Sequence, residues 1–192
     1  MSMFSSLPNL LTWLRVLAIP LLVGVFYLPI SPAARDIAAT VLFVAAAITD
    51  WLDGWLARRM GQTSAFGAFL DPVADKLIVC TALVVLVHLD RVDALVAAII
   101  IGREITISAL REWMAKVGAS TSVAVNSLGK LKTIAQLVAI PMLLFHGKLF
   151  GLIDTRFWGI WLIYLAAVLT VWSMAYYLRK AWPVLRGHVA DL

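Results

Sequence analysis

A single cysteine, Cys80, occurs in 192 residues. A small secreted fold stapled by disulfides is therefore excluded, and Cys80 is expected to serve as a small packing residue. Charge is scarce too: Asp, Glu, Lys and Arg make up 14% of the chain, against about 25% in soluble domains. With a mean hydropathy of +0.94, that shortage excludes both a water-soluble globular domain and a disordered chain. Residues 1–10 hold no Lys or Arg, and no small-residue cleavage site closes the first apolar run, so no signal peptide is expected. The three histidines, His88, His146 and His188, have no ligand spacing and are expected to be solvated.

Hydrophobic residues dominate, at 62% of the chain. At about 20 apolar residues per transmembrane helix, this suffices for about six spans. Breaks at Pro, Gly and charge place them near 10–29, 36–57, 70–89, 93–115, 130–147 and 157–179. The expected fold is an all-α integral membrane protein of six transmembrane helices, one domain over residues 1–192. Four of the sixteen basic residues, Arg35, Arg91, Lys148 and Arg156, follow the first, third and fifth spans. The other twelve lie at the opposite ends, which puts both termini in the cytoplasm. Trp13, Trp51, Trp55, Trp113, Trp172 and Trp182 gather near that same interface, as an aromatic belt would. The net charge of +5 and isoelectric point near 9.7 then mark the cytoplasmic face, and no nucleic-acid partner is expected.

Acidic residues number eleven, and Asp50, Asp53, Asp71 and Asp75 fall within a short stretch. A carboxylate at the centre of a transmembrane helix costs about 2.5–3.5 kcal/mol, so such residues normally face a polar cavity and bind something. At about 100° per residue, Asp50, Asp53, Gly54 and Ala57 share one face of a helix, with Arg58 at its edge. Gly67, Asp71 and Asp75 share a face of the next span. Two antiparallel helices joined by a short turn bring both faces together as a four-carboxylate cup, where Gly54, Ala57 and Gly67 admit close approach to the backbone. Oxygen ligands with no nearby His or Cys suit a hard divalent cation, Mg²⁺ or Mn²⁺. Two bland alternatives compete: small residues that only pack helices, and acids that only pair with Arg58, Arg59 and Lys76. A cation or proton pathway is the functional competitor.

The segment from Asp50 to Asp75 reads DWLDGWLARRMGQTSAFGAFLDPVAD. It matches in full the pattern D-x-x-D-G-x-x-A-R-x8-G-x-x-x-D-x-x-x-D, and so resembles the CDP-alcohol phosphotransferase family. The likeness extends through LPNLLTWLRVLAIP at 7–20, IGREITISALREWMA at 101–115 and SVAVNSLGKLKTIAQ at 122–136. The resemblance implies a six-helix membrane enzyme, usually a homodimer, in the bacterial cytoplasmic membrane with its active site opening to the cytoplasm. Such an enzyme displaces CMP from a CDP-linked lipid with an alcohol. The implied donor is CDP-diacylglycerol and the implied acceptor sn-glycerol 3-phosphate. By the same resemblance Asp50, Asp53 and Asp71 hold the metal, and Asp75 joins a second ion or acts as general base. Gly54, Ala57, Arg58 and Gly67 form the CDP pocket together with Asp50 and Asp53.

A phosphorylated acceptor demands cationic donors. The fourth span carries Arg103, Glu104, Arg111 and Glu112, with Glu104, Ser108 and Arg111 within about 60° of one face. Internal Arg–Glu pairing competes with phosphate binding here; Arg103 and Arg111 are read as phosphate ligands. Lys130 and Lys132 open the fifth span after Gly129, and the resemblance gives them to the acceptor as well. These cations argue against serine as acceptor, while inositol phosphate and phosphatidylglycerol remain open. Asn9, Thr12 and Arg15 form a polar i, i+3, i+6 stripe in the first span, which touches either a nucleotide or the next helix.

Overall fold

The computed structural model describes residues 7–60, 65–118 and 127–189. Six long helices account for nearly all of them. They are α1 (Leu7–Gly24), α2 (Pro32–Met60), α3 (Ala65–His88), α4 (Ala94–Lys116), α5 (Ser127–Phe145) and α6 (Thr155–Val189). A single 3-10 turn, Val25–Tyr27, extends α1. Each expected apolar segment coincides with one helix. α2 and α3 begin four and five residues before their expected bounds, and α6 runs ten residues past its expected end, because a helix continues through charged residues such as Arg179, Lys180 and Arg186 that end an apolar window.

The caps are legible locally. Pro32 opens α2 at the position where a missing N–H costs nothing, and Ser31 Oγ accepts from the Ala34 N–H at 3.3 Å. Asp93 Oδ1 accepts from the Leu95 N–H at 2.8 Å and starts α4. Asp154 Oδ1 does the same for α6, accepting from Arg156 at 3.0 Å and Phe157 at 3.3 Å. The connection before it, expected only as a loop, holds a small hairpin in which Lys148 pairs with Asp154 and Leu149 with Ile153. Its turn takes left-handed backbone at Phe150 (φ 54°) and at Gly151 (φ 71°), a conformation glycine adopts freely.

α1 shows the medium in which the chain folds. Thr12 and Arg15 are 2% and 1% exposed, whereas Leu10, Leu14, Leu17 and Leu21 are about half exposed. Polar groups inside and leucines outside suit a lipid solvent, where apolar side chains gain nothing by hiding. Among the described residues, Leu10–Tyr27, Pro32–Asp50 and Thr155–Pro183 are long and apolar enough to cross a membrane, and α5 adds the shorter apolar stretch Leu131–Phe145. This is a helical membrane protein.

The chain divides into two compact units. The first runs through Val92 and adds Ile140–Trp158; the second holds Asp93–Ala139 and the residues from Gly159 onward. In the first, α1 packs on both α2 and α3, around Leu22, Ala39, Phe43, Leu83 and Leu86. Arg91 locks its far end. One guanidinium nitrogen reaches both oxygens of Asp36 at 2.8 and 2.9 Å, and another donates to the carbonyls of Leu143 and Leu144, the otherwise orphaned end of α5. In the second unit, Ile107 and Met114 of α4 pack on Tyr177 and Ala181 of α6.

Candidate functional site

The polar stripe of α1 lies against the aspartates. Arg15, its side chain fully buried, places Nη1 3.0 Å from Oδ1 of Asp50 on α2, while the Asp50 side chain stays 44% exposed. Three residues earlier on α1, the Thr12 hydroxyl donates to Asp71 Oδ1 on α3. One face of α1 thus orients a carboxylate on each neighbouring helix, so Thr12 and Arg15 make the helix contact that the spacing allowed. Asp75 lies one turn beyond Asp71 and is exposed. Lys76 does not neutralise this group: its ammonium donates to the Pro72 carbonyl at 3.0 Å.

Asp53, Gly54, Ala57 and Arg58 lie in α2 and Gly67 in α3, but their side chains, and that of Asn9, fall outside the described residues. Among the described residues no group of three or more His, Cys, Asp or Glu converges. The donor chemistry still fits a hard cation. Asp50 and Asp71 are oxygen donors held from behind by a buried guanidinium and a buried hydroxyl, and Asp50 keeps open surface. Hydrogen bonds to a carboxylate's far side are what commonly aim a metal ligand.

The second unit gathers the other set. Arg103 Nη1 lies 3.4 Å from Glu104 Oε1, and the Lys132 ammonium pairs with the same oxygen. Arg103 Nη2 also donates to Ser173 Oγ on α6 at 3.4 Å. The Arg111 guanidinium donates to the Tyr177 hydroxyl at 3.2 Å. The Tyr177 ring lies under both guanidinium groups, 5.8 Å from Arg103 and 5.3 Å from Arg111, a cation–π arrangement. Three cations against one carboxylate leave two positive charges, the complement of a phosphate dianion. Arg103 Nε, Gln136 Nε2 and Thr170 Oγ1 are buried with no hydrogen-bond partner, and each costs about 1–3 kcal/mol unless a polar ligand or water satisfies it.

Arg103, Arg111 and Lys132 thus gather around Glu104 and Tyr177, while the Lys130 side chain falls outside the described residues. Helix α5 already begins at Ser127, so Gly129 sits within its first turn and Lys132 points inward from regular helix. Internal pairing holds for Glu104, which joins Arg103 to Lys132. Glu112 instead meets Lys116 at 3.0 Å on the surface. The sequence pattern does not single out Tyr177, Ser173 or Gln136 as members of this cluster. Part of the signal lies on α6, where Thr170, Ser173 and Tyr177 recur at i, i+3, i+7 along an apolar helix, much as Asn9, Thr12 and Arg15 recur at i, i+3, i+6 on α1.

Residues 5–172 match the CDP-alcohol phosphatidyltransferase family. The chain belongs to that family. A CDP-diacylglycerol–glycerol-3-phosphate 3-phosphatidyltransferase of Salmonella choleraesuis (strain SC-B67) is 50% identical over 188 residues, covering 97% of this chain and 98% of the relative. The enzyme of the same name from Escherichia coli (strain K12) is 50% identical over 178 residues, covering 92% and 94%. In this chain the family pattern occupies the C-terminal half of α2 and the first part of α3, where Thr12 and Arg15 meet two of its four aspartates.

Proposed function

We propose that this chain transfers the phosphatidyl group of CDP-diacylglycerol to sn-glycerol 3-phosphate, forming phosphatidylglycerophosphate and releasing CMP, in the synthesis of anionic phospholipids. The observation that carries this is the 50% identity, over nearly the full length, to enzymes of that name. We read the chain as a homodimer of six-span protomers in the bacterial cytoplasmic membrane, as the family resemblance implies, and the twelve-to-four split of basic residues supports placing both termini and the active site toward the cytoplasm.

Asp50, Asp53 and Asp71, with Asp75, would hold Mg²⁺ or Mn²⁺, which would supply positive charge against the diphosphate and the departing CMP. Gly54, Ala57, Arg58 and Gly67 line the CDP pocket. Asp75 takes the proton from a hydroxyl of glycerol 3-phosphate as that oxygen bonds to the phosphatidyl phosphorus and the bond to CMP breaks. Arg103, Arg111 and Lys132, with Lys130, hold the acceptor phosphate. Arg15 and Thr12 keep Asp50 and Asp71 aimed.

The test is CMP release by purified protein in detergent with CDP-diacylglycerol and Mg²⁺, offering sn-glycerol 3-phosphate, inositol phosphate, serine and phosphatidylglycerol in parallel. Release is expected with glycerol 3-phosphate alone, and to vanish with chelator or Asp75→Asn. Release with another acceptor would overturn the acceptor assignment, and release with none would overturn the reaction.

Tyr177→Phe tests the cation set. It keeps the ring beneath both guanidinium groups and removes the oxygen that Arg111 uses. The KM for glycerol 3-phosphate is expected to rise about three- to tenfold with kcat nearly unchanged. An unchanged KM would detach Tyr177 from acceptor binding.

A further inference from the structure

The second unit also carries an apolar groove lined by none of the residues assigned a role in the reaction above. A groove of about 730 Å³ runs between α4 and α6, walled by Leu95 and Ile99 on one side and Tyr164, Val168 and Trp172 on the other, with Arg179 at its end. A second hollow of about 390 Å³, lined by Leu178, Arg179 and Trp182, shares that arginine. The walls are open: Leu95 is 69% exposed and Val168 and Trp172 66% each. From Tyr164 to Arg179 α6 rises about 22 Å, longer than the roughly 15 Å of hydrocarbon in one leaflet.

Charge is confined to one end. Arg179 pairs with no carboxylate among the described residues. Lys180 Nζ stands 5.0 Å over the ring of Tyr176, itself a groove residue, and the Arg186 guanidinium 5.1 Å over Trp182. An apolar slot of leaflet length, closing on cations amid Trp and Tyr, has the chemistry of a phospholipid with an anionic headgroup at the interface. We propose that this groove binds an anionic phospholipid, with an acyl chain along α4 and α6 and the headgroup phosphate at Arg179.

A second copy of the chain fits less well. Copies in one membrane share an orientation, so a two-fold axis lies along the membrane normal. Pairing through this groove would set two Arg179 guanidinium groups at the same depth, each with Lys180 beside it and no acid to separate them. An anionic lipid reverses that repulsion. A zwitterionic lipid brings its own ammonium to the cations and gains less.

Native mass spectrometry of the full-length protein, titrated with phosphatidylglycerol or phosphatidylcholine of matched chains, tests this. Phosphatidylglycerol is neither donor nor acceptor in the proposed reaction, so the result does not depend on turnover. The expected result is at least about fivefold stronger retention of phosphatidylglycerol. Arg179→Gln removes that preference, and Ala175→Phe, which fills the groove, weakens retention of both lipids. Melting temperatures of both variants establish that they fold. Equal retention of the two lipids, or a preference that survives Arg179→Gln, overturns the proposal. Efficient self-crosslinking of a Val168→Cys variant in membranes also overturns it, because a second copy would then cover the groove.

Discussion

Asp71→Asn is expected to lower CMP release from CDP-diacylglycerol by at least about 10²-fold, the scale on which a preorganised charge at a reacting phosphoryl group acts. The amide keeps the side chain's size and can still accept from Thr12, but it loses the negative charge that would bind a divalent cation. Thr12→Val makes the complementary change. It leaves the carboxylate in place and removes only the hydroxyl that orients it, so the rate should fall about three- to tenfold. Initial rates at saturating glycerol 3-phosphate, beside melting temperatures in the same detergent, separate the two effects. An Asp71→Asn enzyme retaining more than a tenth of wild-type activity would remove Asp71 from the metal and donor site.

The second large effect is on stability. Glu104 is the only carboxylate among the described residues that pairs with Arg103 and Lys132, whose side chains are 7% and 3% exposed. Glu104→Leu leaves two buried cations facing each other, which costs about 3–5 kcal/mol. For a chain of this size that corresponds to a fall in apparent melting temperature on the order of 10 °C. The double variant Glu104→Leu/Lys132→Met should recover only part of the loss, since it replaces one buried pair with apolar groups but leaves the buried Arg103 without its carboxylate. It should not recover glycerol 3-phosphate affinity, because Lys132 is then gone. A single variant as stable as wild type would mean that the Glu104 pairing contributes nothing to the fold.

Glu104 also explains why the acceptor cluster was only half legible. Helical spacing puts Glu104, Ser108 and Arg111 on one face, and that follows from 3.6 residues per turn alone. Whether Glu104 or a phosphate answers Arg103 depends on which side chain α5 and α6 bring up. α5 brings Lys132 and α6 brings Ser173 and Tyr177, from 28 to 70 residues away in the chain.

The membrane character, the family pattern and the six helices, apart from the ten residues by which α6 runs past its expected end, are legible in the sequence. These rest on composition and on fixed spacing within single helices, properties that neighbours in the chain settle among themselves. Spacing also put Asp50 and Asp53 on one face and Asp71 and Asp75 on another. Tertiary structure alone decided which residue stands behind Asp50 and which behind Asp71. Thr12 reaches Asp71 across 59 positions, and Arg15 reaches Asp50 from the same face of α1. In an apolar helix a buried threonine or arginine must find a polar partner, because an unpaired polar group in hydrocarbon is too costly. The need is written in the residue; the partner is chosen by how the helices pack.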